Sequence, residues 1–232
     1  MVQTRTAGTR TPLRVLDLGC GNGRFALFLE RNPGFAGHWP FDYDGIDLSD
    51  ELIEHARSAC AGRRHIRFQI DDIENCLLDD ATYDLVALFG ILHHLPGFES
   101  RRRALQRAAS TVAPGGLLAV TCWQFTGDPR FKGRQLDWSQ EPAVDREQLE
   151  PGDHLLRWGP ADSGARRYCH EINEREVGRL VDGLPLVELS RYRADGPGDR
   201  QNLYWLGARR LRRDRGRDEG SRPRPGTPTP TG

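Results

Sequence analysis

The feature that most constrains this chain is a short apolar run, Arg14–Leu18, that stops at Gly19-Cys20-Gly21-Asn22-Gly23. Helical apolar spacing then follows over Phe25–Glu30. A strand that enters a glycine turn and leaves it as a helix exposes free backbone N–H groups at the helix start and lets a ligand approach the main chain closely. The same alternation recurs downstream. Asp44–Leu48 reads as a second strand, and Glu51–Ala61 as a helix capped by Ser49 or Asp50. His65–Ile70 alternates as a strand does, and Tyr83–Phe89 is almost wholly apolar, as a strand covered on both faces would be. Ser100–Val112 is amphipathic and ends at Ala113-Pro-Gly-Gly116, a helix stop and turn, before the apolar strand Gly116–Trp123. Strands alternating with helices mean right-handed βαβ units, hence a doubly wound α/β sandwich around a mostly parallel sheet.

The pattern breaks after Trp123. Gln124–Tyr168 is rich in Asp, Pro, Gly and Arg and has little periodicity. It is too long for an ordinary connection, so residues 124–172 are expected to form an insertion that carries substrate contacts or a lid. A helix over Asn173–Asp182 and a closing hairpin, Leu186–Tyr192 with Asn202–Ala208, complete a domain spanning 13–208. Residues 1–12 and the Arg-, Pro- and Gly-rich stretch 209–232 are expected to be disordered, the latter with transient RNA contact as an option for its arginines.

Composition excludes several classes. The 232 residues have zero formal net charge, which argues against a globally basic protein that coats nucleic acid. Lys132 is the single lysine among many arginines, a bias compatible with anionic substrates without pointing to them. Cys20, Cys60, Cys76, Cys122 and Cys169 are scattered without a CxxC pair, against a structural zinc site or a secreted disulfide framework. No stretch approaches the ~20 apolar residues of a membrane span, so a cytoplasmic protein without membrane contact is expected.

The glycine turn has a chemical bias. Its spacing is GxGxG, where a dinucleotide fingerprint would place the third glycine one residue later. Asp17 precedes it, awkward for a pyrophosphate and suited to a cationic amine. Asp47, at the end of the second strand, would accept from a ribose diol. Asp72, after the third, would accept from an adenine amino group, with Ile73 packing on the ring. All three acids sit at carboxyl ends of parallel strands, where open α/β sheets bind ligands.

Taken together, VLDLGCGNGR, GIDLS, DDI, FGILHHLPG and APGGLLAVTCW resemble the successive motifs of the class I S-adenosylmethionine methyltransferases, over roughly Leu13–Trp123. The resemblance implies a seven-stranded sheet, a Rossmann-like methyltransferase fold with an insertion before the last hairpin. It also implies S-adenosylmethionine as cofactor: Asp17, Gly19, Gly21 and Gly23 at the methionine moiety, Asp47 with Leu48 at the ribose, Asp72 and Ile73 at the adenine, and Phe89 in the same pocket.

The fold leaves the methyl acceptor open. The fourth strand ends without an Asn/Asp-Pro-Pro-aromatic tetrad and no cysteine lies in a Pro-Cys motif, which argues against base exocyclic amines and cytosine C5. His93 and His94 are a general base or a pocket lining. Trp123, Gly152–Trp158, Arg166-Arg167-Tyr168-Cys169-His170 and the acidic helix start at Glu174 and Glu176 are similar to the tRNA wobble-uridine methyltransferases that esterify a carboxymethyl group. That resemblance implies tRNA as partner and, from eukaryotic relatives, a small activator subunit. An ionised carboxylate needs alignment with the methyl rather than a base. Arg166 or Arg167 would hold it, and Trp123, Tyr168 and His170 would stack on or bond the unstacked base. His93, Arg167, Tyr168 and His170 are thus the expected catalytic set. In the tRNA group a Thr-Arg…Trp-Pro stretch precedes the first strand; Thr9-Arg-Thr-Pro12 lies too close to the turn to be it. Two rivals follow: a small-molecule O-methyltransferase, and a non-catalytic cofactor-binding or scaffold subunit.

Overall fold

The structure, a computed structural model, describes residues 11–32, 39–78, 80, 82–160, 164–196 and 198–211. The first strand, β1 (Leu13–Leu18), lies inside a seven-stranded sheet. It pairs in parallel with β2 (Phe41–Asp47) on one side and β4 (Tyr83–Phe89) on the other. β3 (Ile66–Ile70) and β5 (Val112–Trp123) extend the two flanks, also in parallel. The chain closes with β9 (Val187–Ala194) and β10 (Asn202–Ala208), giving the order β3-β2-β1-β4-β5-β10-β9. β10 runs antiparallel to both β5 and β9, so the final hairpin sits at the sheet edge, as the sequence predicts.

Helices cover both faces. On one, α1 (Arg24–Arg31) buries Ala26 and Leu29 against Val15, Phe41, Tyr43 and Ile66. α2 (Asp50–Ala59) starts where Ser49 accepts a bond from the Leu52 N–H, a side-chain N-cap that satisfies an orphan donor. On the other face, α3 (Phe98–Thr111) presents Ala104, Leu105, Ala108 and Ala109 to Leu16, Val86, Leu88 and Leu118. Small residues on this helix let it lie close to the sheet. α4 (Pro129–Lys132) is a single turn, and α5 (Glu174–Val181), capped by Asn173, packs Val177 and Leu180 into the same core. The helix stop predicted at Ala113–Gly116 is present in altered form. β5 already pairs at Val112, and a register shift opposite Tyr83–Leu85 absorbs the extra residues.

The segment read as an irregular insertion has order of its own. It folds into a three-stranded antiparallel sheet, β6 (Gln135–Leu136), β7 (Asp153–Arg157) and β8 (Arg166–His170). A buried ionic cluster ties it to the main domain. Arg101 of α3 is 1% exposed. Its guanidinium donates to Glu176 of α5, 3.0 Å away, to Glu150 before β7, and to the Leu95 carbonyl. His170 of β8 lies between Asp153 (2.6 Å) and Glu176 (2.9 Å), so both ring nitrogens face carboxylates and the imidazolium is favoured. Tyr168 donates its hydroxyl to the same Asp153 oxygen. Most of residues 1–12 and 209–232 lie outside the described residues. Arg209, placed by sequence in the tail, still exchanges backbone bonds with Gly115 and Gly116.

Two outcomes follow from the cluster. Arg101→Met removes the guanidinium from buried Glu176, leaving it only His170, and is expected to cost about 3–5 kcal/mol in urea unfolding. Against burial, the flanking carboxylates hold His170 above its ordinary value of 6.5, a contribution that is complete below 6.5 and lost as pH rises through the higher folded value. Burial opposes the carboxylate form of Asp153 and Glu150, but their hydrogen bonds outweigh it and hold both below their ordinary values of 3.8 and 4.5; that contribution is lost as pH falls through the lower folded values. The cluster should stabilise most between about 4.5 and 6.5, and His170→Gln should flatten the alkaline side of the unfolding-versus-pH curve.

Candidate functional site

The glycine turn between β1 and α1 is held from β2. The N–H groups of Gly19 and Cys20 donate to the Ile46 carbonyl, and the Gly21 N–H donates to Asp47 Oδ2 at 2.8 Å. Asp47 Oδ1 accepts from the Ser49 N–H. One carboxylate thereby fixes the turn and the start of α2 while its remaining lone pairs stay available. Gly21 sits at φ +53° with open space where a Cβ would point, and Gly19 at φ +78° would drive a Cβ to 2.9 Å from Ile91. The two positions keep the main chain bare beside the cavity.

That cavity, about 810 Å³, opens at the carboxyl ends of β1, β4 and β5. Asp17 forms part of its wall and is 2% exposed. Tyr43 donates its hydroxyl to Asp17 Oδ2 at 2.5 Å, whereas Oδ1 has no partner. Burial pushes the carboxyl up to about 7; the Tyr43 bond opposes this only in part, and the nearby Asp47 charge adds to it. A buried acceptor without a donor costs stability, and a cation beside it would favour the ionised carboxylate.

Another part of the lining is aromatic and basic. His93, in a 3-10 turn after β4, is 7% exposed, and its Nδ1 has no partner. Its ring lies 5.3 Å from Trp123 and 4.0 Å from His94. Burial, with His94 and Arg167 nearby, holds His93 well below 6.5, so it is neutral. Arg167 of the small sheet stacks its guanidinium on Trp158 at 3.9 Å, and both line the cavity. Phe89 meets Phe25 edge-on at 4.9 Å in the same lining.

Of the residues singled out by sequence, Asp17, Gly19, Gly21, Asp47, Phe89, His93, His94, Trp123 and Arg167 converge on this cavity. The others lie elsewhere. Gly23 starts α1 at φ +76°, where a Cβ would press on Phe68 and Ala56, so it serves helix packing. Leu48 is 71% exposed and outside the lining. Asp72 turns its carboxylate to the Glu74 N–H and the Asn75 side chain, capping its own turn, and Ile73 is buried in the core. Tyr168 and His170 are committed to the Arg101 cluster instead of the cavity. Asn22, Arg24, Phe25, Leu52, Ile91 and Asn202 line the cavity without having been singled out. Asn22 and Arg24 were legible, since they flank the glycines. Asn202 was not, because its strand joins the sheet only by tertiary pairing. A second pocket, about 710 Å³, lies beyond Gln124 and Gln201 and includes Arg130, Arg193 and Arg200.

Residues 15–116 match the model of a methyltransferase-domain family. Among curated proteins, the chain is 29% identical over 105 residues to a ubiquinone biosynthesis O-methyltransferase of Coxiella burnetii, covering 45% of this chain and 41% of that one. An uncharacterized methyltransferase of Mycobacterium tuberculosis is 34% identical over 106 residues, covering 46% and 48%. The chain thus spans less than half the length of these relatives. Among solved structures, an S-adenosylmethionine-dependent methyltransferase of Methanosarcina mazei superposes with a TM-score of 0.64 at 17% identity, over 86% of this chain and 93% of that one. A 1,6-didemethyltoxoflavin-N1-methyltransferase of Burkholderia thailandensis, solved with S-adenosylhomocysteine, gives 0.57 at 19% identity, over 86% and 72%. The fold is the Rossmann-like α/β fold of the S-adenosylmethionine-dependent methyltransferases.

Asp17 makes a pH test of the bare site. Its folded value near 7 lies above its ordinary 3.8, so stability should decline as pH rises through that interval. Asp17→Asn keeps an oxygen for Tyr43 and should remove the decline, read as a flatter melting-temperature profile between pH 4 and about 7.

Proposed function

We propose that this chain transfers a methyl group from S-adenosylmethionine to an oxygen of a small-molecule acceptor. The observation that carries the cofactor part is the unpartnered, buried Oδ1 of Asp17 in the cavity wall. A carboxylate held there pairs with a cationic amine, and the bare backbone at Gly19 and Gly21 admits a ligand against the turn. Asp47, with lone pairs left after its two backbone bonds, is placed to accept from a ribose diol. Phe25, Leu52 and Phe89 supply apolar lining. When bound, S-adenosylmethionine supplies an electrophilic methyl on a sulfonium. The chain's part is to orient the acceptor, exclude water with Trp123 and Trp158, and steer charge with Arg167. The name of the Coxiella relative supports an oxygen acceptor.

A second reading keeps the wobble-uridine carboxylate of tRNA as acceptor, with a small activator subunit as a further partner. The observations in its favour are Arg167 in the cavity wall and the arginine-bearing pocket beside it.

Calorimetry should show both S-adenosylmethionine and S-adenosylhomocysteine binding. Asp47→Ala should weaken each by about 1–3 kcal/mol, the cost of stranding buried polar groups. Since Asp17 titrates near 7 and binding a cation requires it ionised, affinity should fall with acidification below about 7 and level off above it. Asp17→Asn should abolish that dependence. Absence of binding would end the enzymatic reading. Altered wobble-uridine methyl ester in tRNA from a deletion strain, read by nucleoside mass spectrometry, would favour the second acceptor over the first.

A further inference from the structure

The acceptor side of the cavity contains a group that methyl transfer to an ionised carboxylate would leave unused. His93 is more than nine-tenths buried, and its Nδ1 has no hydrogen-bond partner. Desolvating a ring nitrogen without a partner costs on the order of 1–3 kcal/mol, and an unpartnered nitrogen of this kind in a cavity wall can meet a ligand donor or acceptor. The charged and titratable groups facing this ring are His94 on its own turn and, on β8, Arg167 and the Cys169 thiol. No carboxylate is among them, so the imidazole is kept as the neutral form that can accept a proton. The aromatic neighbour is Trp123, 5.3 Å between ring centroids, and the guanidinium of Arg167 is presented flat against Trp158.

We propose that His93 is the base that receives the proton of the acceptor's hydroxyl, and that the acceptor is a planar hydroxylated ring with an anionic substituent, stacked along Trp123 and paired with Arg167. The inference rests on the methyl-transfer reading above and specifies its acceptor. In the step, the acceptor O–H bond breaks and its proton passes to a ring nitrogen of His93. The oxygen's electron pair forms the new bond to the methyl carbon, and the pair of the old methyl–sulfur bond returns to sulfur. The positive charge lost from sulfur reappears on the imidazolium, so charge balances without a further reactant. A carboxylate acceptor needs no base, which is why the stranded imidazole favours a hydroxyl. The anionic substituent follows from Arg167, the charge on this wall, which attracts an anion and opposes a cation.

The same side chains offer a rival arrangement. His93, His94 and Cys169 have donor atoms within 4.8 Å of one another, a soft set of the kind that holds zinc. Arg167 weighs against a cation there, and burial pushes the Cys169 thiol up to about 12 despite the opposing pull of Arg167.

The test uses the full chain without cofactor and two probes. 4-Nitrocatechol changes its visible absorption on ionisation, so its bound spectrum reports whether the hydroxyl proton has been surrendered. The expected result is a phenolate spectrum at a pH where the free compound is still neutral, lost in His93→Gln while S-adenosylhomocysteine binding is retained. The same bound spectrum in wild type and variant would overturn the role of His93. If the variant fails to fold, the wild-type titration decides alone, because a bound probe that ionises at the same pH as free probe also overturns the base. For the substituent, tryptophan fluorescence quenching should show 3,4-dihydroxybenzoate binding at least tenfold tighter than 3,4-dihydroxybenzamide, and Arg167→Gln should erase the difference; equal affinities would overturn the anionic pairing. Protein dialysed against a chelator should give the same bound spectrum, whereas loss of the signal restored by zinc would replace the base with a metal. Failure of S-adenosylhomocysteine to bind wild-type protein would overturn the methyl-transfer reading, and the proposal with it. Intact binding with a failed probe spectrum would overturn the proposal alone.

Discussion

The guanidinium of Arg101 is the contact on which the arrangement of the site depends. It sits between α3, α5 and the chain entering β7, donating to a carboxylate on two of them. A charge this deep is tolerable only when every donor is matched. Glu150, Glu176 and the Leu95 carbonyl supply that match, and His170 with Asp153 extends it into the small sheet. The consequence is positional. β8 carries His170 into the cluster and, from the same short strand, Arg167 into the cavity. Anchoring one end of a five-residue strand by ion pairs fixes where its other end presents a cation.

The cavity itself is a balance of unmatched groups. Asp17 is a carboxylate with one oxygen unmet, and His93 an imidazole with one nitrogen unmet. A fold selected for stability alone would pair or remove both. Both line one open cavity at the carboxyl edge of the sheet, where local rules of burial are broken.

The parallel half of the fold was legible because its signals are local. Tyr83–Phe89 is apolar on both faces, the glycine turn punctuates β1 and α1, and Ser49 announces α2; each element stands within a residue or a few of its expected place. The site was half legible for the same reason. The sequence places Asp17 and Asp47 at strand ends, and the strand ends converge. Position was not enough for Asp72, whose side-chain direction is decided by its own tight turn. Tyr168 and His170 show the other limit. Their partners, Asp153 and Glu176, lie 6 to 17 residues away on neighbouring elements, and which way each side chain turns is decided by the pairing of β7 with β8 and by the buried Arg101, 75 residues from Glu176. The small sheet escaped notice because β6 is two residues long and β7 and β8 are five, too short to show a period.

The closing hairpin has one more consequence. β10 pairs with β5 so that Asn202 stands opposite Trp123, and both face the aromatic cavity, while the neighbouring Gln124 and Gln201 face the arginine-bearing pocket and are joined by a backbone bond of 2.7 Å. Adjacent residues where these two strands meet, one step apart in the chain, thus line different pockets. A group held at the arginine-bearing pocket would therefore touch the chain one residue away from Trp123 and Asn202.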